Sequence, residues 1–228
     1  MLARDDIAAS AVYRFFPARS DGDRAVMIYS SDGRTILESF TFGRQSDEPG
    51  LCLADYIAPR SSGLTDYLCM FVTTIGTGVR ALAERWKDRG EYLRSHILQV
   101  LALEGAEAFA ELLHQKIRRM WGFGDPPELT KKELHQAQYH GKRFSFGYPA
   151  CPRLEDQEKL FRLLEVDKHA IGVKLTEGFM MDPESSVSAM VFHHPQARYF
   201  SLSAADIEAL ESELNAAPAT PPRASASL

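Results

Sequence analysis

Cysteine is scarce in this 228-residue chain: Cys52, Cys69 and Cys151 are too few and too scattered for a disulfide framework or a zinc knuckle. No run of eighteen apolar residues occurs, so there is no candidate membrane-spanning helix, and the opening MLARDDIAAS lacks the apolar stretch of a secretory leader. Positive charge is in the minority, with 26 Lys and Arg against 31 Asp and Glu for a net charge of −5. Without a basic field the chain is poorly suited to phosphate backbones, which excludes nucleic acid as its main partner. What is present is ordinary: 45% hydrophobic and 25% charged residues, the balance of a globular protein. A chain of this length needs neither disulfides nor metal to hold a core. These features place it in the reducing cytoplasm, with no membrane attachment.

The opening third reads as strands. Alternation over residues 11–16, 25–30 and 35–42 is broken at Asp21-Gly22-Asp23 and at Asp32-Gly33, a hairpin signal. Residues 53–57 read as another short strand, and the nearly unbroken apolar run 67–75 as a strand covered on both faces. From Thr77 to about Met120 the period becomes helical. Leu93, Ile97, Val100, Leu101, Phe109, Leu112, Leu113, Ile117 and Met120 recur at spacings of three and four, predicting a long helix with one buried stripe, separated by Gly90 from a shorter helix. Thr130-x-x-Glu133 is a capping box for a further short helix. A loop over 141–152 precedes a helix over about 155–165, strands at 171–176, 187–192 and 199–202, and a last helix from about Ser203. Residues 216–228, rich in Ala, Pro and Ser, cannot bury a face and predict a disordered tail behind a single domain over 1–215. Strand runs flanking a block of helices favour an α+β fold with a twisted, mainly antiparallel sheet flanked by long helices.

Two motifs suggest chemistry that their context withholds. Gly76-Thr77-Gly78-Val79-Arg80-Ala81 fits a dinucleotide-binding fingerprint, but some forty helical residues follow where a second parallel strand is required. It reads as a strand-to-helix turn. Asp167-Lys168-His169-Ala170-Ile171-Gly172 fits a cobalt-ligating pattern, yet helix precedes it and strand follows, the reverse of what that pattern needs, so His169 reads as a helix-terminal residue. No metal ligand set is assigned.

The segment Arg143-Phe144-Ser145-Phe146-Gly147-Tyr148-Pro149-Ala150-Cys151-Pro152 differs in kind. Gly147 permits close backbone approach, two prolines stiffen the loop, Arg143 can fork to a carboxylate, and Tyr148 offers a flat face with one polar handle. Such a loop suits a zwitterionic, aromatic-bearing small molecule; a rigid structural loop with Arg143 on a helix end is the competing reading. Preceded by Tyr139-His140-Gly141-Lys142, the loop closely resembles the S-adenosylmethionine-binding loop of the activation domain of cobalamin-dependent methionine synthase. The likeness continues through Cys52-Leu53-Ala54-Asp55-Tyr56-Ile57-Ala58-Pro59, through residues 107–114, Lys174-Leu175-Thr176-Glu177, and His194-Pro195 to Arg198-Tyr199-Phe200.

The resemblance implies that Arg143 pairs with the methionyl end of S-adenosylmethionine, with backbone groups around Ser145 and Gly147 completing that pocket. It sets Tyr148 where the donor faces the cobalamin, Tyr199 and Phe200 at the adenosine end, and Glu107, with Glu111 one turn on, near the donor's positive groups. Phe200 is often Tyr in the family. His193 and His194 read as strand-end structure. No catalytic acid, base or nucleophile is implied: cob(II)alamin, one electron and S-adenosylmethionine give methylcobalamin and S-adenosylhomocysteine. Cobalamin would be carried by another domain or chain of methionine synthase, and the electron by a flavodoxin-like donor. Lys116, Arg118, Arg119, Lys131 and Lys132, near the helix end, read equally as a patch that steers an acidic carrier or as a solvated face. As a domain or subunit of that methyltransferase the chain is expected to show little independent turnover. It is also expected to lack the family's N-terminal segment and its donor-binding Asp, since Asp5 and Asp6 stand in a different context. The alternative is a module that binds S-adenosylmethionine or a corrinoid protein without transferring a methyl group.

Overall fold

The computed structural model describes residues 7–216. Strands β1 (Ala8–Asp21), β2 (Ala25–Tyr29) and β3 (Ile36–Thr41) form a meander through the two expected turns, and β4 (Asp66–Thr77) returns antiparallel along β1 with Phe16 opposite Leu68 and Val12 opposite Val72. Helices α1 (Val79–Asp88), α2 (Tyr92–Trp121) and α3 (Lys131–His135) follow. The chain then runs through β5 (Lys142–Phe144), α4 (Gln157–Leu164), β6 (Lys174–Leu175), β7 (Met181–Asp182), β8 (Ser186–Phe192) and α5 (Ala204–Ala216). Six strands make one sheet in the order β3-β2-β1-β4-β8-β5, all pairs antiparallel, and β6 and β7 form a separate ribbon. This is the α+β architecture expected from the sequence.

Period-two alternation in β4 divides the interior. Leu68, Met70 and Val72 enter one core with Phe16, Ile28, Phe40, Met190 and Leu160 and Leu164 of α4. Cys69 and Phe71 enter the other, against Ala189, Val191 and Ala106, Ala110, Leu113 and Ile117 of α2. Each fully buried Leu, Ile or Phe contributes about 1.5–3 kcal/mol by leaving water. The sheet is thus covered on both faces, and α2 lies across the face that ends at the β5 edge.

The long helix forms where its periodicity predicts, but the predicted stripe is wrong in phase. Leu93, Ile97, Val100, Leu101, Leu112 and Met120 are exposed, and only Leu113 and Ile117 of that set are buried. The buried line is Leu98, Ala102, Ala106, Ala110, Leu113 and Ile117. Alanines let the helix backbone press onto the sheet, so close approach selects small residues over large ones. Residues 53–57, expected as a strand, contain a single 3₁₀ turn, Leu53–Tyr56, because the Asp55 carboxylate accepts the Cys52 N–H at 3.0 Å and curls the backbone. Residues 199–202 form no strand; the Leu202 N–H is spent on the Pro149 carbonyl at 3.0 Å. Of 171–176 only Lys174 and Leu175 are strand.

The Gly-x-Gly segment is the turn it was read as. A Cβ on Gly76 would lie 2.2 Å from Pro183 Cγ, and Gly78 opens α1 at φ +84°. The motif is accounted for by packing and backbone geometry. His169 closes a 3₁₀ turn, Val166–Lys168, behind α4. The predicted tail lies outside the described residues apart from Ala216, which ends α5, as do Asp5 and Asp6.

Candidate functional site

Arg143 sits in β5 opposite Val191 of β8, at the sheet edge nearest the middle of α2. There Glu107 and Glu111, one helical turn apart, both face its guanidinium: Nη2 lies 3.3 Å from Glu107 Oε2 and Nη1 3.0 Å from Glu111 Oε2. Arg143 is 17% exposed, whereas Glu107 and Glu111 are 54% and 41% exposed, so the group opens to solvent on the glutamate side. Beyond β5 the backbone doubles back. Gly147 adopts φ +82°, its N–H donates to the Cys151 carbonyl at 3.0 Å, and the Cys151 N–H donates to the Tyr148 carbonyl at 2.9 Å. The Cys151 thiol donates to the Ser145 carbonyl at 2.9 Å, tying the loop shut. This closed turn thrusts Tyr148 outward, 60% exposed.

The C-terminal segment completes the walls. Leu202 and Ser201 are pinned to Pro149 and Gln45 by hydrogen bonds at 3.0 and 2.9 Å, which holds Tyr199 and Phe200 against the loop. Tyr199 meets Phe144 edge-on at 5.4 Å, and Phe200 meets it at 6.3 Å. A cavity of about 440 Å³ results, lined by Glu107, Arg143, Ser145, Tyr148, Tyr199 and Phe200 together with Phe144, Pro149, Ala150 and Ser201. Its size suits a nucleoside-bearing small molecule. Six of the seven site residues expected from the sequence therefore converge on one opening. Gly147 does not line it; the glycine shapes the turn that aims Tyr148. Phe144, Pro149, Ala150 and Ser201 were missed as lining residues, although three of them lie within the singled-out loop. A second cavity of about 410 Å³ runs between α1 and α2, but Arg80 and Ser95 on its wall are engaged with Asp182 and Gln99.

Comparison with known proteins gives this cavity a context. The sequence model of the vitamin B12-dependent methionine synthase activation domain matches residues 1–213. The chain belongs to that family. Methionine synthase from Mycobacterium tuberculosis (strain ATCC 25618 / H37Rv) is 35% identical over 215 residues, covering 88% of this chain and 18% of that protein. The chain therefore spans under a fifth of the length of that relative. The crystal structure of the MetH reactivation domain bound to AdoHcy superposes with a TM-score of 0.84 at 34% identity, covering 92% of this chain and 67% of the other. Among the described residues no helix is long and apolar enough to cross a membrane.

Behind the cavity this activation domain carries a buried polar layer. Arg118, fully buried, forks to Asp125 at 2.7 Å through two nitrogens, which withdraws it from the basic patch expected to steer an electron carrier. Lys116, Arg119, Lys131 and Lys132 remain exposed. His193 bonds Asp66 at 2.6 Å, a contact at the strand end. His114 is fully buried with neither ring nitrogen hydrogen-bonded. Burial, and then the charges of Arg118, Arg143 and Lys142, pushes its pKa down to about 2, so the folded ring is neutral. The unfolded ring titrates near 6.5, so the unfolded chain binds the extra proton and stability falls as pH drops from about 6.5 toward 2. His114→Phe is expected to reduce the loss between pH 7 and pH 5 by about 2 kcal/mol, from 1.4 kcal/mol per pH unit. Urea unfolding at the two pH values checks this; an equal loss in both proteins would assign the slope elsewhere.

Proposed function

We propose that this activation domain holds S-adenosylmethionine in the Arg143–Tyr148 cavity and presents its methyl group to reduced cobalamin carried by another domain or chain. In that role it returns an oxidised, cob(II)alamin-bearing methionine synthase to its cycle in methionine biosynthesis. The observation that carries the reading is a convergence on one opening: a guanidinium fit for a carboxylate, a carboxylate fit for an ammonium, and aromatic walls fit for an adenine. A related reactivation domain bound to AdoHcy supports the choice of ligand.

When bound, S-adenosylmethionine supplies a methyl group on a sulfonium that is already a good leaving group, and reduced cobalamin supplies the nucleophile. The residues of this chain have other tasks. Arg143 exchanges its glutamate partners for the donor's carboxylate, and Glu107 turns to the donor's amino group. Phe144, Tyr199 and Phe200 wall the adenosine end, and the tied turn at Gly147 holds Tyr148 at the rim where the cobalamin arrives. No side chain need move a proton. Placement of two reactants can be worth up to about 7–11 kcal/mol, which is the contribution asked of this site. Exposed Lys116, Arg119, Lys131 and Lys132 offer a steering patch for an acidic, flavodoxin-like electron donor in the cytoplasm.

The test mixes the chain with a separately expressed cobalamin domain of a methionine synthase, reduced flavodoxin and S-adenosylmethionine. The cob(II)alamin absorption is expected to give way to that of methylcobalamin only when the chain is present. Donor binding without this change would reduce the chain to a non-catalytic binding module.

A further inference from the structure

We propose that Tyr139 is a positioning residue for the donor site, its hydroxyl bracing Glu111 and, through Glu111, the guanidinium of Arg143. This rests on the donor-site reading above. Tyr139 lies between α3 and β5, is 6% exposed, and does not line the donor cavity. Its hydroxyl donates at 3.4 Å to Glu111 Oε2, the oxygen that also accepts Arg143 Nη1, and it also neighbours the Tyr199 phenol on the cavity wall. The ring is itself immobilised. Arg118 covers one face with its guanidinium carbon 3.7 Å from the centroid, Lys142 Nζ stands 5.0 Å from it, and His114 meets the edge at 5.3 Å. Arg118 is locked to Asp125, and its one nitrogen without a hydrogen bond points a charge at the other oxygen of Glu111 from 4.0 Å.

Glu111 thus stands on a half-exposed helix face with three fixed partners, two of them buried and only Arg143 in the cavity. Without the phenol, Glu111 keeps only the Arg118 charge at 4.0 Å behind it, and the carboxylate and guanidinium gain room to swing together toward water. A ligand's carboxylate would then have to order both, and a site held to within about 0.5 Å binds better than one left loose. Burial, with Tyr199 and Glu111 nearby, also raises the phenol above its ordinary range, so Tyr139 stays a donor throughout the neutral pH range.

Tyr139→Phe removes the hydroxyl and keeps the ring under Arg118. Calorimetric titration of the full chain with S-adenosylhomocysteine, alongside thermal unfolding, is expected to show a Kd raised about 3–5-fold, the lower range for a lost hydrogen bond as befits a 3.4 Å contact, with a nearly unchanged unfolding midpoint. In an Arg143→Ala background the same substitution should change Kd by less than about 2-fold, because its effect passes through Arg143. Glu111→Gln, a change on the helix surface, should likewise weaken binding and leave Tyr139→Phe with no further effect. An unchanged Kd in Tyr139→Phe, or an equal loss with and without Arg143, overturns the proposal. Arg143→Ala alone separates the two readings: if it binds like the parent the donor site itself is misplaced, and if it weakens binding while Tyr139→Phe does not, only the positioning role is lost.

Discussion

Arg143→Ala is expected to weaken S-adenosylmethionine binding by about 2–5 kcal/mol, the range for removing one partner of a desolvated, hydrogen-bonded charge pair. The structure favours the lower end. In the free protein the guanidinium already holds Glu107 and Glu111, so the donor's carboxylate replaces existing partners rather than satisfying a bare charge. Truncation also leaves those glutamates half-exposed, where water takes over their solvation. A rise in Kd of about 30- to 150-fold follows from 2–3 kcal/mol at 1.4 kcal/mol per decade. Arg143→Lys should recover only part of it, because a point charge cannot make the two-pronged contact. Titration calorimetry on folded variants measures both, and an affinity unchanged in Arg143→Ala would remove the residue from the site.

The largest stability loss is expected at Asp125, which lies outside the lining of the donor cavity. Among the described residues, Asp125→Ala would leave the fully buried Arg118 with only the Glu111 carboxylate, at 4.0 Å, to offset its charge. Breaking a buried pair from one side costs about 3–5 kcal/mol, or roughly 10 °C in a domain of this size. Burial pushes the Asp125 carboxyl up, but the Arg118 fork outweighs this and holds it below the ordinary carboxylate range. Its stabilising effect is therefore complete above the unfolded value near pH 4 and fades as pH falls below it. Thermal unfolding at pH 7 should show the deficit in full, with parent and variant converging in acid. Equal midpoints at pH 7 would mean that Arg118 is held by its stacking on Tyr139 rather than by charge.

Much of this was legible in sequence where the signal is local. The nearly unbroken apolar run in β4 announces a strand with two buried faces, and the loop at Arg143 brings its chemistry on contiguous residues. Tyr199 and Phe200 were reachable only through family resemblance, since nothing near them in sequence says that they face Arg143. The phase of α2 was misread because large apolar residues were weighted over Ala102, Ala106 and Ala110, while contact with a sheet rewards the small ones. Arg118 was misread for a related reason. Inside the run Lys116 to Arg119 it looks like part of a solvated face, and its partner Asp125 sits beside Pro126-Pro127 in what reads as a plain loop. Arg118 and Glu111 lie seven residues apart on one face of α2, but Tyr139 joins them from beyond α3, and nothing local in the sequence announces that contact. A charge on the buried line of α2 was the available signal.

The most direct measurement is a calorimetric titration of the unmodified chain with S-adenosylmethionine. Saturable heat at one donor per chain, lost in Arg143→Ala, is the predicted result. A chain with an intact circular-dichroism spectrum that takes up no donor at millimolar concentration would contradict it.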